Sequence, residues 1–111
     1  MTLRDLIKSA NETLGLPIDW DNTTTDENYR QLFACTRLVL NTLTGGWSFP
    51  NNYRITDSAV GVSKSTLVYG VLTEYAFVAG MFNEWKVWNA KYRDGLFKAN
   101  NNGKTRRIPA I

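Results

Sequence analysis

Residues 65–99 limit the fold more than any other stretch of the chain. In the first half Leu67, Val71, Tyr75 and Val78 recur at helical spacing, and Val68, Leu72, Ala76 and Ala79 run beside them. That is a wide apolar stripe with a period of about 3.6 residues. In the second half Met81, Trp85, Trp88, Tyr92 and Leu96 form another stripe, and Lys86, Lys91 and Asp94 fall off its axis. Gly80 stands between them. It can take positive φ without a Cβ clash, which suits the end of the first helix. Neither helix can bury its stripe alone. Joined by so short a turn, the two are predicted to pack antiparallel. The core expected from this pairing is Leu67, Val71, Leu72, Tyr75, Trp85, Trp88 and Tyr92.

The remaining segments supply the partners for this pair. Residues 2–14 read as a first helix with Leu3, Leu6, Ile7, Ala10 and Leu14 on one face. Thr2 and Asp5 have capping-box spacing, with Asp in place of Glu. Gly15 is placed to end this helix and Pro17 to prevent its resumption. Trp20 lies in the following loop and is expected to fold back onto the bundle, because a loop tryptophan needs cover. Thr24 and Glu27 suggest a second capping box. Beyond it Tyr29, Leu32, Phe33, Thr36, Val39, Leu40 and Leu43 share a broad face. Cys35, mid-helix, reads as a small core residue. Gly45-Gly46 ends the second helix.

Residues 47–62 alternate weakly, and both a short hairpin across Asp57-Ser58 and an irregular loop fit them. A connection this long has a task or packs on something. Trp47, Phe49, Tyr53 and Arg54 are its candidate partner-binding residues. Ser63 or Ser65 caps the third helix. Gly95 weakens the fourth by about 1 kcal/mol relative to alanine, so its last turn is expected to fray or bend. The expected fold is all-α: a small bundle of about four helices over residues 1–99, a long connection between the second and third, and an extended C-terminal arm over 100–111.

The chemistry-bearing residues are sparse. With no histidine, the chain lacks the commonest general base and metal ligand. One cysteine and scattered carboxylates make no metal or cofactor set, and no catalytic group is assigned. Glu74 is the one carboxylate among apolar neighbours on a helix, and it reads as an edge residue of the stripe. Gly103-Lys104-Thr105 is no phosphate loop, since Lys98 stands where the first glycine is required. No run has the ~20 apolar residues needed to cross a bilayer. A single cysteine and no secretory pattern suit a reducing, intracellular setting. The net charge of +3 is mild but uneven: Asp19, Asp21, Asp26 and Glu27 lie early, and Lys98, Lys104, Arg106 and Arg107 late.

Tyr69-Gly70-Val71-Leu72-Thr73-Glu74-Tyr75, then Gly80-Met81-Phe82, then Glu84, Trp88 and Tyr92 resemble the C-terminal helices of head-tail connector, or adaptor, proteins of tailed double-stranded DNA phages. The basic, proline-containing end, Lys104 to Pro109, is similar to the ends some of them carry. The resemblance covers about a third of the chain. It implies a structural protein at the head–tail interface of the virion, present in host cytoplasm during assembly. It implies a ring beneath the portal protein, commonly a dodecamer of identical copies. The ring would extend the DNA channel, touch DNA only passively, and dock the next head-completion or tail protein. No membrane is involved.

Within the arm Lys104, Arg106, Arg107, Ile108, Pro109 and Ile111 are the candidate partner-binding residues. A solvated terminus and weak phosphate contacts through the three cations are the other readings. Ile108 and Ile111, with Pro109 between them, favour a strap that docks on a protein. A small nucleic-acid-binding protein using the basic tail is the alternative function.

Overall fold

The computed structural model describes residues 2–44 and 61–107, with side chains over 2–43 and 61–99. The described residues form four helices: α1, Leu3–Leu14; α2, Glu27–Thr44; α3, Lys64–Ala79; and α4, Phe82–Arg107. The chain is all-α, as its periodicity predicts.

The capping box of α1 is present in full. The Asp5 amide donates to Thr2 Oγ1 at 3.2 Å and the Thr2 amide donates to Asp5 Oδ2 at 2.9 Å. Gly15 ends α1 in the left-handed conformation at φ 67°. Asn11 completes that end: its Oδ1 accepts from the Leu16 amide at 2.9 Å and its Nδ2 donates to the Leu16 carbonyl at 3.0 Å.

The start of α2 differs from the sequence expectation. Asp26, not Thr24, takes the capping place, its Oδ1 accepting from the Tyr29 amide at 2.9 Å. Asp26 Oδ2 also accepts from the Asp19 amide at 2.9 Å. A carboxylate serves both donors and gains from the positive field of the first turn, which a hydroxyl does not. These bonds, with Asn28 Nδ2 donating to the Pro17 carbonyl at 2.9 Å, tie the α1–α2 loop onto α2. Trp20 folds back there, edge-on to Tyr29 at 5.9 Å between ring centres. Arg4 and Lys8 lie over its other side, at 5.5 and 5.2 Å.

Ser63 caps α3, accepting from the Thr66 amide at 3.3 Å. α3 is the central helix. It packs on α1, α2 and α4, and is buried on every side through its middle. Leu67, Val71, Leu72 and Tyr75 join Leu3, Leu6 and Ile7 of α1 and Leu32, Val39 and Leu40 of α2 in one core. The buried threonines remain satisfied within their own helices: Thr36 donates to the Leu32 carbonyl and Thr73 to that of Tyr69, each at 2.7 Å.

The turn from α3 to α4 is two residues long. Gly80 is left-handed at φ 74°, its amide reaching back to the Ala76 and Phe77 carbonyls. The Met81 amide donates to Ala76 at 2.8 Å, while the Met81 carbonyl already accepts from Trp85 at 2.8 Å. One residue thus closes α3 and opens α4.

Two further expectations are corrected. Val78 and Ala79 are exposed, because α3 runs past the helices that cover its middle. The arm is not extended over 100–107, where α4 continues to Arg107. No proline interrupts that stretch, and the asparagines and Gly103 disfavour helix without forbidding it. The expectations for Trp47, Phe49, Tyr53 and Arg54, for the hairpin or loop, and for Ile108, Pro109 and Ile111 fall outside the described residues.

Candidate interaction surface

Two glycines set how α4 lies on α3. A Cβ on Gly70 would come within 2.8 Å of Tyr92 Cε1 and 3.0 Å of Val39 Cγ1. A Cβ on Gly95 would run into Thr66, Cγ2 at 2.8 Å and Oγ1 closer still. Gly95, which reads from sequence as a weak point, is therefore a place where the two helices approach closely. Tyr69 and Lys91 meet in the same register, the Lys91 Nζ standing 5.5 Å from the ring centre. Gly95 thus lies opposite Thr66, in the first turn of α3.

The inner face of α4 carries Trp88, Tyr92, Leu96 and Ala99, all half-buried against the core. Trp85 is half-buried on the same side. The outer face is the unexpected feature. Phe82, Lys86, Ala90, Arg93 and Phe97 follow at helical spacing and are all exposed, with Phe82 62% and Phe97 64% accessible. Around the turn Phe77 and Val78 of α3 are exposed as well, and Val87 lies on another side of α4. Exposed large apolar side chains in such a group mark a contact surface more often than single ones do. The signal was present in the sequence: Phe82 and Phe97 share the side of α4 with Lys86, away from the second stripe. It was obscured because the inner stripe is richer in tryptophan.

Charge follows the same division. Over Phe82–Arg107 seven lysines and arginines stand against Glu84 and Asp94, a net +5. The whole chain is +3, so the remainder carries −2. Lys98 pairs with Asp94 at 3.1 Å. Neither Lys86 nor Arg93 has an ion-pair partner among the described residues. Lys104, Arg106 and Arg107 lie in the last turns of α4.

The opposite charge gathers at the α1–α2 loop and the start of α2, where Asp19, Asp21 and Glu27 are exposed and Asp26 is half-buried. Beside them is a shallow hollow of ≈ 280 Å³ lined by Thr23, Thr24, Tyr29, Arg30 and Phe33.

Burial, and secondarily the Glu74 carboxylate, push the Cys35 thiol up to about 11, so it stays protonated at neutral pH. Burial and then Glu74 also raise Tyr92. Glu74 is half-buried on α3 between these two. Among the described residues no three histidine, cysteine or acidic side chains converge to hold a metal, and no helix is long and apolar enough to cross a membrane. No protein-family profile, curated protein or solved structure matches the chain.

Proposed function

We propose that this protein is a structural subunit of a head–tail connector in a tailed double-stranded DNA phage. Copies would form a ring beneath the portal, extend the DNA channel and offer the next head-completion or tail protein its docking face. The observation that carries the reading is the outer face of α4 together with the α3–α4 turn, where Phe77, Val78, Phe82 and Phe97 stand exposed, with Lys86 and Arg93 exposed between the two α4 phenylalanines. A closed bundle with such a surface is suited to assembly. The resemblance of α3 and α4 to connector helices supplies the kind of assembly. A ring needs heterologous contacts, in which one face of each copy meets a different face of the next. Virions carrying a tagged copy test the proposal. Tag density as a collar at the head–tail junction is expected, and virions or heads lacking the protein would overturn it.

One observation favours a second reading. Lys86, Lys91, Arg93 and Lys98 are exposed along α4, with Phe82 ahead of them and Phe97 among them, a pattern that also suits nucleic acid. If those four cations made phosphate contacts, DNA affinity would fall with a log–log salt slope of about −3 to −4. A flat salt response would exclude this reading.

A further inference from the structure

We propose that the outer face of α4 binds single-stranded nucleic acid, with Lys86 and Arg93 on phosphates and Phe82 and Phe97 against unpaired bases. The inference rests on the nucleic-acid reading of this face, not on the connector reading, and names the form of nucleic acid. Phe82, Lys86, Ala90, Arg93 and Phe97 follow one line of the helix and are all exposed. The line is about 22 Å long, room for about four nucleotides, the lower end of what single-strand binders occupy. Its charge is uncompensated. Glu84 lies about 160° around the helix from Lys86, and Asp94 is taken by Lys98 at 3.1 Å. Neither Lys86 nor Arg93 has an ion-pair partner among the described residues. The net +5 over Phe82–Arg107 adds a field that draws a polyanion to this helix.

The order of side chains along the line selects the ligand. The two cations stand between the two rings, so apolar and charged groups are interleaved. A bilayer interface takes a helix whose apolar and charged faces are separated, and here sinking both rings would draw Lys86 and Arg93 in with them. A second copy of the same face would set cation against cation. The centre of a protein–protein contact is depleted in lysine. A duplex offers phosphates to the cations, but its bases stack on one another and leave the rings without a partner. A single strand offers both groups at once, a charged backbone for Lys86 and Arg93 and open base faces for Phe82 and Phe97.

Fluorescence anisotropy on the full chain tests this, with a labelled oligothymidylate and a labelled duplex of the same length. The single strand is expected to bind more tightly than the duplex. Phe82→Ala with Phe97→Ala, checked for native helicity, is expected to lose at least about twentyfold in affinity for the single strand, since each base–aromatic stack contributes about fivefold or more. The same variant should hold the duplex as wild type does. Lys86→Gln with Arg93→Gln should flatten the log–log salt slope by about 1.4, two phosphates at about 0.7 each. A phenylalanine variant that binds oligothymidylate like wild type, or a glutamine variant with an unchanged slope, overturns the proposal. A duplex bound as tightly as the single strand overturns the single-strand assignment and leaves the nucleic-acid reading standing, whereas binding of neither refutes both. Preference for phosphatidylserine vesicles over oligothymidylate, or self-association through Phe82 and Phe97 with no binding of oligothymidylate, overturns it in favour of a membrane or a second copy. None of these outcomes bears on the connector reading, which virions decide.

Discussion

Gly95 shows how one position can carry two opposite physical effects. By propensity alone, alanine there would stabilise an exposed helix by about 1 kcal/mol. Here the added methyl would collide with Thr66, and overpacking of this kind typically costs about 1–3 kcal/mol. Gly95→Ala is therefore expected to lower the urea midpoint, and Thr66→Ala in the same chain to recover most of the loss. A Gly95→Ala protein more stable than wild type would show that α3 and α4 do not approach there. The partner of Gly95 lies on another helix, which is why the sequence showed a weak spot and not a contact. The same limit applies to Phe82 and Phe97, whose spacing is visible in the chain but whose exposure depends on what covers α4. Cys35, by contrast, was legible as a core residue from its residue type at the middle of α2.

At the scale of the element, the N-terminal caps of α1 and α2 use carboxylates. Hydrogen bonds from backbone amides, Thr2 for Asp5 and chiefly Asp19 for Asp26, hold both below the ordinary aspartate value of 3.8. A depressed folded-state value adds stability that is present above the unfolded value and lost as pH falls through the folded one. Unfolding free energy should thus decline as pH drops below about 4, and less steeply in Asp5→Asn and Asp26→Asn proteins. At the other limit burial raises Cys35, Tyr29 and Tyr92. These groups stay protonated in the fold while the unfolded chain ionises, so stability should fall again as pH rises above about 9. Denaturation curves across pH would check both limbs, and a flat profile would contradict the caps and the burial together. The ends of α1 and α3 were legible because Gly15 and Gly80 act through their own φ. The start of α2 was not, because Thr24 and Asp26 both suit a cap and the choice depends on the more distant Asp19. The C-terminal arm was misread because poor helix formers weaken a helix without ending it. The core among the described residues includes nothing from 104–111, so deleting these residues should leave the thermal midpoint nearly unchanged. On the connector reading the same deletion abolishes incorporation into heads. Normal incorporation of the truncated protein would reduce this end to a solvated tail.

For the whole molecule, the apolar stripes were enough to read four helices, but not that α3 is the central one or which surfaces remain open. The open surfaces are small and mixed with charge, so each contact between copies should be weak until several act together on a platform. The isolated protein is expected to sediment as a monomer or a weakly associating species across a wide concentration range. A stable closed ring at low micromolar concentration would contradict this. The 26 residues of α4 span about 39 Å, and the way this rod is fixed has a mechanical consequence. Thr66 is a peg from α3 seated in a notch of α4, and Tyr92 is a peg from α4 seated in a notch of α3. A force along the rod drives each peg against the side chains flanking its notch, so α4 resists sliding in either direction. A force across its free end lifts the pegs out in succession, beginning with Thr66. The hairpin is stiff along its axis and yields sideways, as a latch does.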